Sequence, residues 1–265
     1  MKFLLLLVFP VLLTNLNADS KSRILVYSWA NENYVRLIDG NGHILPEICA
    51  FLEGNYYPDP LNEGSEDISF DRLIKLLAPE MMKQNFILDQ PPEVSDYILL
   101  VNWGFTEEVT EDSMDFFEEE IIFIESEDGY IEEVSTNSSN EFSSLGRDNS
   151  KLIGAMKMSQ LYPYSLKRKL LLEASEEKRL FVNITAFSKL HLVEKKDSDA
   201  LEAEWITFLS IPFYGIEVDE AVKSIAEMGS RYMGSDWETP SFLDFHDKNF
   251  STEPNQLEYL GVEED

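Results

Sequence analysis

The sequence predicts an α+β domain in which amphipathic helices pack on one mixed, mainly antiparallel sheet. The clearest single signal is the unbroken apolar run of residues 97–101 within the 265-residue chain. Turn-type residues bound the run, Asp96 before it and Gly104 after it. A short apolar run of this kind is typical of a strand that is covered on both faces. We therefore expect this strand near the centre of the sheet.

Two further patterns support the same fold class. Apolar and polar residues alternate over 180–193, and a second alternating stretch follows at 201–211. Two such stretches separated by a polar turn predict an antiparallel hairpin. Apolar residues at helical spacing occupy 70–81 and 218–232, which predicts two amphipathic helices. Either strand 97–103 or strand 180–193 should be central.

The N-terminal third of the domain predicts strands separated by turns. Residues 24–29 form an apolar first strand. The turn-forming sequence at 39–42 should join two short strands, at 34–38 and 44–52. The proline- and glycine-containing stretch 54–66 predicts a loop.

The first helix should span 70–84. Ser69 is placed to cap its N-terminus, and Asp71 in the first turn suits the helix dipole. Pro79 should kink the helix or split it into two pieces. A loop at 89–95 then leads into the central strand.

Residues 105–146 form an acidic insertion with 14 acidic residues and no Lys or Arg. Within it, 121–124 and 130–131 can form a hairpin, and 135–144 has the composition of a mobile loop. A solvated acidic excursion is the favoured interpretation, with a dedicated binding site as the alternative.

Helical segments follow the insertion. One helix should start near Asn149 or Ser150, and a second should run over 163–176, burying Leu166, Leu170 and Ala174. The helix at 218–232 should stop at Gly234.

Residues 19–234 are thus interpreted as one domain. The acidic tail 235–265 should wrap the domain through its aromatic residues or be partly disordered; these are Trp237, Phe242, Phe245 and Tyr259.

Residues 1–18 have the pattern of a secretory signal peptide. Lys2 is followed by the apolar run Phe3–Leu13, and Ala18 ends an acceptable cleavage site. A retained membrane anchor is the alternative, but the 11 residues of the run fall short of the roughly 20 that span a bilayer. No later stretch is long and apolar enough to cross a membrane. The expected location is therefore periplasmic or secreted.

The charge balance excludes some classes of partner. The formal net charge is −29, and removal of Lys2 with the leader would leave −30. Such a surface repels nucleic acid and anionic lipid. The single cysteine, Cys49, cannot form an internal disulfide, and its apolar neighbours favour a buried structural thiol over an intermolecular disulfide.

Motifs of the common chemistries are lacking, so no catalytic, cofactor-binding or metal-binding residue is assigned. The chain has no G-x-S-x-G, H-E-x-x-H, phosphate-binding or dinucleotide-binding pattern. His43, His191 and His246 can meet only through the fold. A calcium-loop-like spacing near the C-terminus has Thr252 where glycine is needed and lacks flanking helices. Its oxygen-bearing residues are Asp247, Asn249, Ser251, Glu253, Asn255 and Glu258.

The order of these elements resembles that of uncharacterised secreted bacterial envelope proteins. The features that carry the resemblance are the strand of Asp96–Gly104, the two strands at 180–193 and 201–211, and the helix that ends at Tyr232-Met-Gly234. More distantly, the chain resembles small envelope lipoproteins of unknown function, although it lacks their lipidated cysteine. The resemblance covers most of 70–236, implies location and fold, and brings no catalytic residue with it.

Two classes of function remain. The favoured hypothesis is a non-catalytic envelope protein that binds another protein or a wall component, with a basic partner or cations attracted by the acidic surface. The alternative is a secreted enzyme whose site is assembled from distant residues. The oligomeric state is not predicted.

Overall fold

The computed structural model describes residues 23–59, 68–88, 91–110, 121–125, 131–135, 144–156, 165–194, 202–237 and 239–244. The strands are β1 (Arg23–Ala30), β2 (Glu47–Tyr57), β3 (Phe86–Ile87), β4 (Tyr97–Phe105), β5 (Ile121–Glu125), β6 (Ile131–Ser135), β7 (Arg179–Ser188), β8 (Trp205–Pro212) and β9 (Ser241–Asp244). The helices are α1 (Phe70–Lys83), α2 (Ser144–Leu152), α3 (Leu166–Glu176), α4 (Lys189–Glu194) and α5 (Val218–Gly229), followed by a 3-10 turn at Ser230–Tyr232.

Seven strands form one mixed sheet in the order β3-β2-β4-β7-β8-β1-β9. Strand β2 is parallel to β3 and to β4, and the other neighbours are antiparallel. Strand β7 is fourth of the seven, so the prediction that it or β4 lies at the centre is confirmed. The predicted pairing of β7 with β8 is also confirmed, and the fold class is α+β as the sequence predicts.

Helices cover both faces of the sheet. On one face, α1 and α5 pack on alternate residues of the central strands, with Leu73 and Ile225 fully buried in that core. On the other face, the segment after α2 and helix α3 pack on β1 and β7, where Ile153, Leu171 and Phe181 are fully buried. Strand β7 therefore carries apolar side chains on both of its faces, because each face of the sheet meets a helical layer.

The N-terminal third departs from the prediction. The predicted turn at 39–42 is present, but residues 34–38 do not form a strand. A single isolated β-bridge, between Ile38 and Ile44, joins the two sides of the turn. Strand β2 continues to Tyr57 instead of ending at residue 52. A bulge between Glu53 and Tyr56 absorbs the register shift, and the side chain of Asn102 on β4 accepts a bond from the Asn55 N–H group at 2.8 Å.

Three other local predictions are corrected. Helix α1 is not split at Pro79, whose ring lies on the exposed face, where water can satisfy the freed carbonyl. The predicted cap by Ser69 is confirmed. The predicted strand 180–193 ends at Ser188, and the next six residues form α4. Leu166 is 71% exposed rather than buried, because it begins α3 at the surface.

The acidic segment contains the predicted hairpin, since β5 and β6 pair antiparallel. Its first two residues, Phe105 and Thr106, are buried, and at its other end α2 already begins at residue 144. The predicted loop interior, 136–143, lies outside the described residues, as do the leader and the calcium-loop-like spacing. Within the predicted tail, the N–H group of Trp237 bonds to Ser28 O, and β9 pairs with β1.

None of the helices in the described part of the chain is long and apolar enough to span a membrane.

Candidate functional site

A groove of about 600 Å³ opens at one end of the sheet. It lies where β2 and β4 begin and where β7 passes into α4, so the three strand ends supply residues 47, 95–97 and 188–190. The fourth wall is the segment 34–46, which connects β1 to β2 and is called the arm below. Three separate parts of the sequence, 35–47, 95–97 and 188–190, thus meet around one cavity.

The walls of the groove carry apolar side chains that reach into solvent. Val35 and Leu37 of the arm are 73% and 67% exposed, and Leu190 on α4 is 61% exposed. Leu45 also lines the groove and is 40% exposed. Single exposed apolar residues are ordinary, but several around one concavity are typical of a surface that another molecule covers.

Hydrogen bonds hold the base of the arm in place. The Tyr34 hydroxyl group donates to the Glu47 carboxylate, with its oxygen 2.9 and 3.0 Å from Oε1 and Oε2. Arg36 Nε lies 3.6 Å from Glu47 Oε2, and Arg36 Nη2 donates to Gln84 O at 2.7 Å. The guanidinium carbon of Arg36 also lies 4.2 Å from the centre of the Phe86 ring. These contacts tie the arm to the end of α1 and make the groove a preformed feature.

The groups at the groove floor have shifted pKa values. Burial raises the pKa of Glu47, and the Arg36 charge and the Tyr34 bond only partly oppose it. Burial and the Glu47 charge raise the pKa of Tyr34, which therefore remains a hydrogen-bond donor. Burial, followed by the charges of Glu47, Glu204 and Asp96, raises the pKa of Tyr97 to about 12.

Cys49 lies beside this floor on β2. Its side chain is fully buried, and its Sγ is 3.7 Å from Glu47 O. Burial, followed by the Glu47 charge, raises its pKa to about 12, so the sulfur is a thiol at neutral pH. The expectation that this cysteine is buried is confirmed.

The raised pKa of Glu47 predicts a specific pH dependence of stability. Because its carboxyl group binds a proton more tightly in the folded chain than in the unfolded chain, ionisation costs folding free energy as the pH rises through the raised value. Glu47→Gln cannot ionise, and its amide oxygen can still accept from Tyr34. We expect the free energy of unfolding of E47Q, minus that of the wild type, to be larger at pH 8 than at pH 4. Urea denaturation at both pH values measures this difference; a difference that stays constant or falls with pH contradicts the assignment.

The residues that the sequence singled out do not form a common centre. His43 is at the tip of the arm, with Nδ1 3.3 Å from Asp39 Oδ2, and His191 on α4 has Nδ1 3.0 Å from Glu204 Oε1. His246 lies outside the described residues. Among the residues that are described, no group of three or more His, Cys, Asp or Glu side chains is arranged to hold a metal ion.

Sequence reasoning missed the groove because its residues come from segments that are far apart. The sequence predicts plain strands at Tyr34 and at Glu47, and it marks Asp96 and Tyr97 only as the start of the central strand. The one signal for the groove in the sequence is the pair of apolar stretches on either side of the 39–42 turn. That pattern does not show that the apolar side chains are exposed.

No protein-family model matches the chain, and no curated protein sequence matches it. Among solved structures, the PelC dodecamer from Paraburkholderia phytofirmans is similar at 8% identity and a TM-score of 0.35, over 81% of this chain and 99% of that one. A PDZ domain protein from Parabacteroides distasonis is similar at 10% identity and a TM-score of 0.35, over 83% of this chain and 38% of that one. The function of this chain therefore has to be inferred from the residues of the groove itself.

Proposed function

We propose that this chain is a non-catalytic secreted or periplasmic envelope protein that binds a segment of another protein in the groove. The observation that carries the proposal is the set of exposed apolar side chains around one preformed cavity. Val35, Leu37 and Leu190 expose more than half of their surface there. Covering such side chains contributes about 25 cal/mol per Å² of apolar surface removed from water.

The contacts at the base of the arm add to this argument. Tyr34 donates to Glu47, Arg36 forms an ion pair with Glu47, and Arg36 Nη2 donates to Gln84 O. A partner would not have to order these residues on binding, so less of the favourable contact energy is lost.

The proposal predicts that changes to the groove wall weaken partner binding. The full chain, expressed with its leader, is used to capture a partner from envelope extract, and the identified partner is then purified for affinity measurement. The double variant Leu37→Ser with Leu190→Ser should bind at least about tenfold more weakly, which is a loss of ~1.4 kcal/mol.

Leu166→Ser is the matched control, because Leu166 is equally exposed but lies on α3, on the opposite face of the sheet. This variant should bind as the wild type does. Equal affinity of the groove variant and the wild type would remove the groove from the mechanism.

A secreted enzyme is the second candidate, favoured by the raised pKa of Glu47 in a groove. Its two carboxylate oxygens both accept from Tyr34, which leaves less of their capacity for a substrate proton. The two classes separate on one variant. Turnover of any substrate in a hydrolase panel that is lost in Glu47→Gln, while partner binding is unchanged, would favour the enzyme.

A further inference from the structure

We infer that the segment bound in the groove carries a lysine or arginine side chain, which lies on the Tyr97 ring beside the carboxylates of Glu47 and Asp96, with apolar residues on either side. This inference rests on the proposed function and names the chemistry of the partner.

Aromatic and carboxylate groups meet at the groove floor. Tyr97 is half-buried and lines the cavity together with Glu47 and Asp96. The rings of Tyr34 and Tyr97 are in edge contact, with 5.9 Å between their centres and 82° between their planes. A cation gains from both kinds of group, because a ring face attracts it and a carboxylate bonds to it.

The basic groups near the floor are already engaged. Arg36 bonds to Gln84 O, lies near Glu47 and stacks over Phe86. The Lys189 ammonium group donates to the carbonyl oxygen of Glu93. Both cations keep their charges in these contacts, but the three carboxylates of Glu47, Asp96 and Glu204 outnumber them.

The acidic groups remain to attract an incoming cation. The exposed Asp96 carboxylate accepts one long bond, at 3.4 Å from the Ile48 N–H group. Glu204 Oε1 lies 3.0 Å from Nδ1 of His191 on α4. After burial, the three carboxylates of Glu47, Glu204 and Asp96 have the largest effects on the pKa of Tyr97, and all three raise it. These three carboxylates therefore make the electrostatic potential at the ring more negative.

The same charge balance selects a basic protein segment over the other occupants of an apolar groove. A second copy of this chain also carries a net charge of −29, so two copies repel each other. An anionic lipid surface is repelled for the same reason. The apolar walls at Val35 and Leu190 suit side chains on either side of the cation.

The test uses two short peptides, acetyl-Ser-Leu-Lys-Leu-Ser-amide and the same peptide with norleucine in place of lysine. Their affinities for the full chain are measured by titration calorimetry at 20 and 150 mM salt. The lysine peptide should bind at least about tenfold more tightly at low salt, and its advantage should shrink at 150 mM because salt screens the carboxylates. A third peptide, with glutamate in place of lysine, should not bind.

Two variants locate the effect. Asp96→Asn should weaken the lysine peptide about fivefold and leave the norleucine peptide unchanged. Asp148→Asn, an exposed acid on α2, should change neither. Equal binding of the two peptides, lost when Leu37 and Leu190 become serine, overturns the cation inference and leaves the proposed function standing. If neither peptide binds, the cation inference is also overturned. The proposed function is decided separately, by whether capture of a partner depends on the groove wall.

Discussion

Replacement of Gly104 by alanine should lower the free energy of unfolding by about 3 kcal/mol. Gly104 lies inside β4 with φ +141°, a conformation that side chains other than glycine rarely adopt. A Cβ atom there would stand 2.0 Å from Tyr57 O and 2.7 Å from Tyr57 C. These are backbone atoms of the neighbouring strand, so the β2–β4 pairing itself would have to move.

Gly40→Ala is the control for this prediction. Gly40 has no positive φ, and an added Cβ atom meets nothing within 4 Å. Its alanine variant should stay within about 0.5 kcal/mol of the wild type. Urea denaturation of the two variants at one pH measures both effects. Equal stability of the two alanine variants would mean that the close approach of β2 to Gly104 is wrong.

Loss of the Arg179 side chain should cost about 3–5 kcal/mol. Arg179 is 1% exposed in β7, where Nε donates to Ser210 Oγ at 3.0 Å and Nη1 donates to Glu177 Oε2 at 2.8 Å. Nη2 donates to Arg23 O at 3.0 Å and to Ser210 O at 3.2 Å. Burial lowers the pKa of this guanidinium group to about 10, so it still carries its charge at neutral pH. The group links β1, β7 and β8, and Arg179→Ala would leave these buried acceptors without it.

The matched control for Arg179→Ala is Arg147→Ala, since Arg147 is exposed on α2. This change should cost less than about 0.5 kcal/mol. The double variant Arg179→Met with Glu177→Gln should recover part of the loss, because it removes the charge of both partners and keeps the volume of the arginine stem. Similar melting curves for the two single alanine variants would contradict the assigned role of Arg179.

The sequence alone determined those helices and strands that depend on residues close to one another along the chain. The spacing of apolar residues over 70–81 and the Ser69 cap place α1 correctly, because both depend on contacts three or four residues apart. The alternation over 180–188 identifies a strand because successive side chains point to opposite faces. Together with the apolar run 97–101, these features predict the fold class and the two candidates for the central strand.

Only the tertiary structure decided what depends on distant residues. The sequence marks Gly104 as the end of a strand, but in the structure it lies inside β4, against the backbone of Tyr57 on another strand. The groove needs Glu47 on β2, Tyr97 on β4 and Leu190 on α4, and no sequence spacing relates these three. Strand pairing brings them together, and each pairing is set by the burial of whole faces rather than by the residues at the strand ends. A site built from strand ends is therefore visible only once the order and register of the strands are known.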